Sequence, residues 1–408
     1  MRGMRFLQNY GVLLLIMIGS LIYRLLLWHH TPVYLYGDMY RYDAIARHLL
    51  VNGYMGIGAI PDAYCTPGYP LFLAMIYKIS MWFHGGQLLS IARVAHETYF
   101  VQQILSISSI LLAYLFAKEL FNRYAGLAAA LIYALYLPNT YVGELLLTEN
   151  LFVPLSLLAL YLAQLALRKK NVILYLIAGI VLGIATLVRP FVLPLMVLFL
   201  IGILWQARTG RLDSPTPYRV GAKQAGALLG GTVLVLLPWW IRNLIDFHHF
   251  IPLSTEAGNP LLAGVSPYFH TPFPQLAAAA KALNESQQTY AIHMIEQGFL
   301  HHFWLYLGWF LIGKLYFLFW SPWLYNYIAW VDGFHRLIVF AGGIAVIAGV
   351  FVRQMRLLAV SILFLLAMQL VFLPLDRYGY PLVILMGVLL PAVVAYGIAF
   401  RRGGNTHV

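Results

Sequence analysis

Two carboxylates and three guanidiniums are the groups in this 408-residue sequence best placed to do chemistry. Asp38 lies in Gly37-Asp-Met-Tyr-Arg-Tyr-Asp-Ala-Ile-Ala46 and Glu149 in Leu147-Thr-Glu-Asn-Leu-Phe152. Arg189 belongs to Leu187-Val-Arg-Pro190, Arg242 to Pro238-Trp-Trp-Ile-Arg-Asn243 and Arg377 to Asp376-Arg-Tyr-Gly-Tyr-Pro381. A carboxylate beside a reacting hydroxyl can take its proton, and a guanidinium suits a phosphate by geometry as well as charge. Each group also has a plainer reading. Asp38 could cap a short helix, Thr148 and Glu149 could serve the start of another, and arginines at a membrane edge commonly snorkel to headgroups. Convergence favours a shared site: five ionisable groups from five segments, all at apolar boundaries, are better explained as one polar cavity in which they find partners.

Membrane helices must hold these groups. Residues of the set AVILMFWYC make up 62% of the chain, 10% are charged and the mean hydropathy is +0.78, so several segments can cross a bilayer and a soluble multidomain enzyme is excluded. Apolar runs near 10–28, 98–118, 123–140, 150–167, 172–188, 190–206, 224–241, 335–352, 356–374 and 380–400 predict an all-α integral membrane protein. They give about ten transmembrane helices in a single polytopic domain over 1–408. The first run follows Met1-Arg-Gly-Met-Arg5 without a small-x-small cleavage site and is expected to stay as a membrane helix.

Charge sets the orientation. If the apolar stretches 67–83 and 300–320 lie in the interface or re-enter, 15 of the 26 basic residues and two of the 14 acidic ones share the face of the N-terminus, which puts both termini in the cytoplasm. The two stretches could instead cross together. The five candidate groups then sit on the outer face, between two long loops, 29–97 and 243–334. In the first loop a stripe of Tyr42, Ile45, Ala46, Leu49 and Leu50 predicts a juxtamembrane helix, on which Asp43 and Arg47 are spaced for a surface ion pair.

Other function classes find little support. The net charge of +12 is carried by short runs between apolar segments, where lipid headgroups account for it, so no nucleic-acid partner is expected. The single cysteine, Cys65, excludes a disulfide framework within the chain. Twelve of the 13 histidines fall on the outer side, but His29-His30, His248-His249 and His301-His302 lack a ligand geometry. Gly56-Ile-Gly58 is neither a dinucleotide nor a P-loop fingerprint, and no nucleotide cofactor is expected.

The motifs acquire a further meaning from their order. Gly37-Asp-x-x-x-Tyr-x-x-Ile-Ala46, Pro67-Gly-Tyr-Pro-Leu-Phe-Leu-Ala74, Leu147-Thr-Glu-x-Leu-Phe152, Gly183-x-x-Thr-Leu-x-Arg-Pro190, Pro238-Trp-x-Ile-Arg-Asn243, Pro252-Leu-Ser-Thr-x-x-Gly258 and Arg377-Tyr-x-x-Pro381 together resemble the GT-C membrane glycosyltransferases. The nearest branch is the bacterial protein-mannosyltransferase-like group, family 39, with the lipid A aminoarabinose transferase as a relative. The resemblance implies a GT-C fold and an inverting transfer from a polyprenyl-phosphate sugar to an acceptor hydroxyl of a glycolipid, polysaccharide or protein. It places that reaction among membrane lipids on the periplasmic or external side of the bacterial cytoplasmic (inner) membrane. It makes Asp38 the base and Glu149 the second acidic position, a candidate ligand for a divalent metal cation. Arg242 and Arg377, then Arg189, become the candidates for the donor phosphate, and Tyr42, Tyr69 and Tyr378 are expected to line the substrate cavity. One departure concerns Thr66, which stands where the aminoarabinose relative has a phosphate-contacting lysine.

Two competing readings use the same composition. An O-antigen polymerase or ligase would carry an arginine-rich late outer loop, and 243–334 is not one. A transporter or flippase of lipid-linked sugars would be marked by inverted repeats and helices broken at mid-membrane depth, neither of which is evident.

Overall fold

The computed structural model describes residues 2–28, 35–209, 218–256 and 258–402. His29 and His30, and Arg211 and Asp213 of the 207–223 connection, lie outside the described residues. The helices are α1 (Arg2–Trp28), α2 (Asp38–Asn52), α3 (Gly68–Phe83), α4 (Ile91–Leu120), α5 (Arg123–Leu135), α6 (Pro138–Val142), α7 (Glu149–Lys169), α8 (Val172–Val188) and α9 (Pro194–Thr209). They continue as α10 (Tyr218–Phe247), α11 (Gly258–Ala263), α12 (Phe273–Ala282), α13 (Gln287–His301), α14 (Phe303–Gly308), α15 (Lys314–Phe319), α16 (Ala329–Phe351), α17 (Arg356–Gln369) and α18 (Asp376–Arg401). No strand occurs among the described residues.

Six helices, α1, α4, α7, α10, α16 and α18, are long and apolar enough to cross a bilayer. Four shorter apolar helical segments, Arg123–Leu135, Val172–Val188, Pro190–Leu204 and Arg356–Gln369, coincide with the other four expected crossings. The chain is a multi-pass membrane protein. Packing is organised around α4, α8 and α18: α4 lies against α5 and α7, α8 against α7 and α10, and α18 against α5, α16 and α17. A small second core of Leu261, Leu262, Val265, Leu276 and Ala291 stabilises the segment containing α11, α12 and α13.

Three local devices position the site. First, α2 starts after Gly37 (φ 54°) and stops at Gly53, whose left-handed backbone (φ 76°) lets its N–H cap Leu49. Its buried Asp43 accepts hydrogen bonds from Tyr77 of α3 (2.8 Å) and from Arg47 (2.9 and 3.0 Å). The expected surface pair is therefore a buried clamp joining α2 to α3, because the 67–83 helix covers it. Second, α8 ends where Pro190 forces Arg189 into extended backbone (φ −149°, ψ 113°). Third, Lys314, with no exposed surface, donates to the carbonyls of Val371 (3.2 Å) and Phe372 (3.0 Å) and so fixes the turn that leads into Arg377. The apolar 300–320 stretch follows α13 across a bend of 120°.

Gly68 explains the Pro-Gly-Tyr-Pro motif. A Cβ on it would lie 2.6 Å from the carbonyl of Leu187, so glycine is what lets α3 seat directly on the end of α8. Thr66 donates to the Val188 carbonyl (3.4 Å) in the same seam. Gly68→Ala is expected to destabilise by about 1–3 kcal/mol by forcing the two backbones apart. Thermal unfolding in detergent checks this, and an unchanged midpoint would mean that the seam opens freely.

Candidate active site

Four of the five sequence candidates meet at the end of the bundle that carries α2 and α3. Glu149, the first residue of α7, is completely buried. Its Oε1 accepts from Arg189 Nη1 at 2.9 Å and from Arg377 Nε, and its Oε2 from Arg377 Nη2 at 3.3 Å and from the Thr148 hydroxyl at 3.1 Å. Arg377 Nη1 donates to Asp38 Oδ2 at 2.6 Å. The sequence separations of 228 and 339 residues show that only the tertiary fold makes this cluster.

The capping readings of Asp38 and Thr148 fail on geometry, whereas Glu149 does stand in the first turn of α7, where its charge complements the helix dipole. Asp38 makes no side-chain cap, since Gly37 occupies the N-cap position, and the Thr148 hydroxyl donates to the Glu149 side chain and caps no backbone N–H of α7. Two carboxylates balance two guanidiniums, but the four groups are not equivalent: the Asp38 side chain is 37% exposed, those of Arg189 and Arg377 are 15% exposed, and that of Glu149 is 0% exposed. Glu149 is thus a buried anchor and Asp38 the accessible member.

The tyrosines divide. Tyr378 lies between the two guanidiniums, its ring centroid 5.0 Å from Arg189 Cζ and 5.8 Å from Arg377 Cζ. Tyr42 and Tyr69 are buried and packed edge-on at 5.2 Å, with the Tyr69 hydroxyl donating to Gln102 at 2.6 Å. They pack in the seam between α2, which carries Tyr42, and α3, which carries Tyr69, rather than on a cavity surface.

Arg242 is placed elsewhere. Its guanidinium donates to the carbonyls of Asp62 (3.0 Å) and Met55 (3.1 Å) and pairs with Asp246 (2.8 Å), which pins the first loop onto α10. It stands instead at the polar edge of a cavity of about 440 Å³ walled by Leu49, Met55, Pro67, Leu71, Leu187 and Trp239. Leu187, which lines this apolar cavity, lies two residues before Arg189 in the chain, and none of Asp38, Glu149, Arg189 and Arg377 lines it.

Sequence reasoning missed Glu256. It occupies an unspecified position in Pro252-Leu-Ser-Thr-x-x-Gly258, and the only available signal was its place in that motif. The segment is tied down by Trp239 to the Leu253 carbonyl (2.7 Å), Trp240 to the Pro252 carbonyl (2.7 Å) and Thr255 N to the Ala63 carbonyl (2.9 Å). Glu256 hydrogen-bonds with Tyr64, whose ring lies 3.9 Å from Arg41 Cζ. Burial, then the nearby charge of Asp38, pushes the Glu256 carboxyl above its ordinary value. Cys65 beside it is buried, and its thiol is pushed up to about 12, which makes it inert.

A cation does not fit on Glu149. Both its oxygens already accept hydrogen bonds, and two guanidiniums surround it. No group of three or more His, Cys, Asp or Glu side chains able to hold a metal occurs among the described residues.

Comparison with known proteins places the architecture. Residues 70–235 match the family of dolichyl-phosphate-mannose-protein mannosyltransferases. The apo oligosaccharyltransferase of Archaeoglobus fulgidus superposes over 97% of this chain and 51% of its own, with 15% identity and a TM-score of 0.61. The chain has the GT-C fold. A second structure of that archaeal enzyme, AglB in complex with an inhibitory peptide and a dolichol-phosphate, shows the same GT-C likeness, with 15% identity, the same coverage and a TM-score of 0.59. The chain therefore spans about half the length of these solved structures. ArnT from Cupriavidus metallidurans, bound to undecaprenyl phosphate, aligns over 97% of this chain and 80% of its own at 15% identity, with a TM-score of 0.41. No curated protein matches the chain.

Proposed function

We propose that the protein is an inverting glycosyltransferase that moves a sugar from a polyprenyl-phosphate donor to an acceptor hydroxyl on the outer face of the cytoplasmic membrane. The observation that carries the reading is the cluster itself: an accessible carboxylate, Asp38, beside two guanidiniums held ready by a buried one, Glu149. The apolar cavity edged by Arg242 is suited to a prenyl chain. The mannosyltransferase family match and the GT-C fold of a protein seen with a dolichol-phosphate point the same way. The charge distribution of the sequence supports the outer face as the site of transfer.

In this reading the donor phosphate sits against Arg377 and Arg189. The acceptor oxygen forms its bond to the anomeric carbon as the carbon–oxygen bond to phosphate breaks. The hydroxyl proton passes to Asp38, and the charge that develops on the phosphate is stabilised by the guanidiniums. No step is routed through a metal.

Transfer from a panel of radiolabelled polyprenyl-phosphate sugars into membrane lipids and proteins tests the proposal. Asp38→Asn is expected to slow transfer by about 10²–10⁴-fold while leaving the unfolding midpoint close to wild type, since the carboxylate is partly exposed. Transfer at the wild-type rate by this variant would sink the assignment.

A further inference from the structure

Building on that transferase reading, we propose that the lipid phosphate binds by taking the place of Asp38 on Arg377, so that the donor must arrive before Asp38 is free to act as base. The argument starts from how one guanidinium is shared. Arg377 turns Nε and Nη2 to Glu149 and Nη1 to Asp38. The Glu149 contact cannot be displaced by an incoming ligand, because that carboxylate has no exposed surface and is also held by Arg189 and Thr148. The Asp38 contact can, because its side chain is 37% exposed and enters from a different segment, α2.

A phosphate oxygen and the Asp38 oxygen require the same donor. With Nη1 and Oδ2 2.6 Å apart there is no room for another anion between them, and a phosphate would be a third anion on a guanidinium that already serves Glu149 and Asp38. The existing charges already balance, so an added phosphate is accommodated by moving the one mobile anion out. Arg41, three residues along α2, lies on the Tyr64 side and gives the displaced carboxylate a cation to face. Until displacement, Arg377 occupies Asp38 Oδ2 and holds the carboxylate in place. Donor-first order and inhibition by the released polyprenyl phosphate both follow from this exchange.

Equilibrium binding to the purified protein in nanodiscs, with undecaprenyl phosphate, undecaprenol and inorganic phosphate as probes, tests the exchange without requiring turnover. The expected result is that Asp38→Asn binds undecaprenyl phosphate about tenfold more tightly than wild type, because a charged competitor has been removed. Asp38→Ala, which cannot offer Arg377 an amide oxygen, should move in the same direction. In an Arg377→Lys background the gain should fall below about threefold, as expected for two coupled residues. Inorganic phosphate showing the same dependence on Asp38 would support the exchange and identify the headgroup as sufficient. Undecaprenol binding as well as its phosphate would overturn the proposal. Equal or weaker binding by both Asp38 variants, with wild type still binding, would overturn the exchange alone. A wild type that binds no undecaprenyl phosphate would overturn both the exchange and the transferase reading.

Discussion

Glu149→Gln should destabilise the folded protein by about 3–5 kcal/mol, the range for removing one partner of a buried ion pair. Glutamine keeps the shape but not the charge, and its NH2 group would face guanidinium donors where an acceptor is needed. Arg189 and Arg377 would then confront each other with only Asp38, on the far side of Arg377, to compensate them, in a place that the completely buried carboxylate shows to be shut off from solvent. Thermal unfolding in a mild detergent gives the measurement, with Asp38→Asn as the comparison. The two variants remove one negative charge each from the same cluster, yet only the buried one should lower the midpoint. A Glu149→Gln midpoint within about a degree of wild type would mean that Glu149 does not hold the arginines.

Arg377→Lys is the complementary change and should lower transfer by about 10²–10³-fold. A lysine retains the positive charge, so net electrostatics is preserved. What it loses is the planar fork that reaches Glu149 through Nε and Nη2 while Nη1 reaches Asp38. A single ammonium cannot serve both sides with that geometry. Rates of transfer and unfolding midpoints measured on the same preparations separate the two roles. If Arg377→Lys keeps wild-type transfer, point charge suffices and the fork carries no function.

The sequence made the helices readable because hydropathy over some 20 residues is a local property. Motif position also picked out Asp38, Glu149, Arg189 and Arg377, which the fold brings together. Arg242 shows where that reasoning stops. All three arginines sit at the ends of apolar runs, and nothing near Arg242 in the chain announces that its fork is filled by carbonyls of Met55 and Asp62, 187 and 180 residues away. Asp43 differs from its expected surface place for the same reason: its spacing from Arg47 is a surface signature, and only the docking of Tyr77 buries it. Glu256 gave no local signal at all beyond its motif, since its proximity to Asp38 depends on Thr255 hydrogen-bonding to the first loop.

The complete burial of Glu149 also has an entropic consequence. An arginine side chain free to explore its rotamers forfeits up to about 2 kcal/mol when a ligand pins it. Here that ordering is completed during folding, when two guanidiniums from α18 and from the end of α8 close on a carboxylate that water does not reach. An anion arriving at their outward faces therefore meets dipoles already aimed and has no side chains to freeze. The tightness of such a socket derives from rigidity acquired in folding as much as from charge.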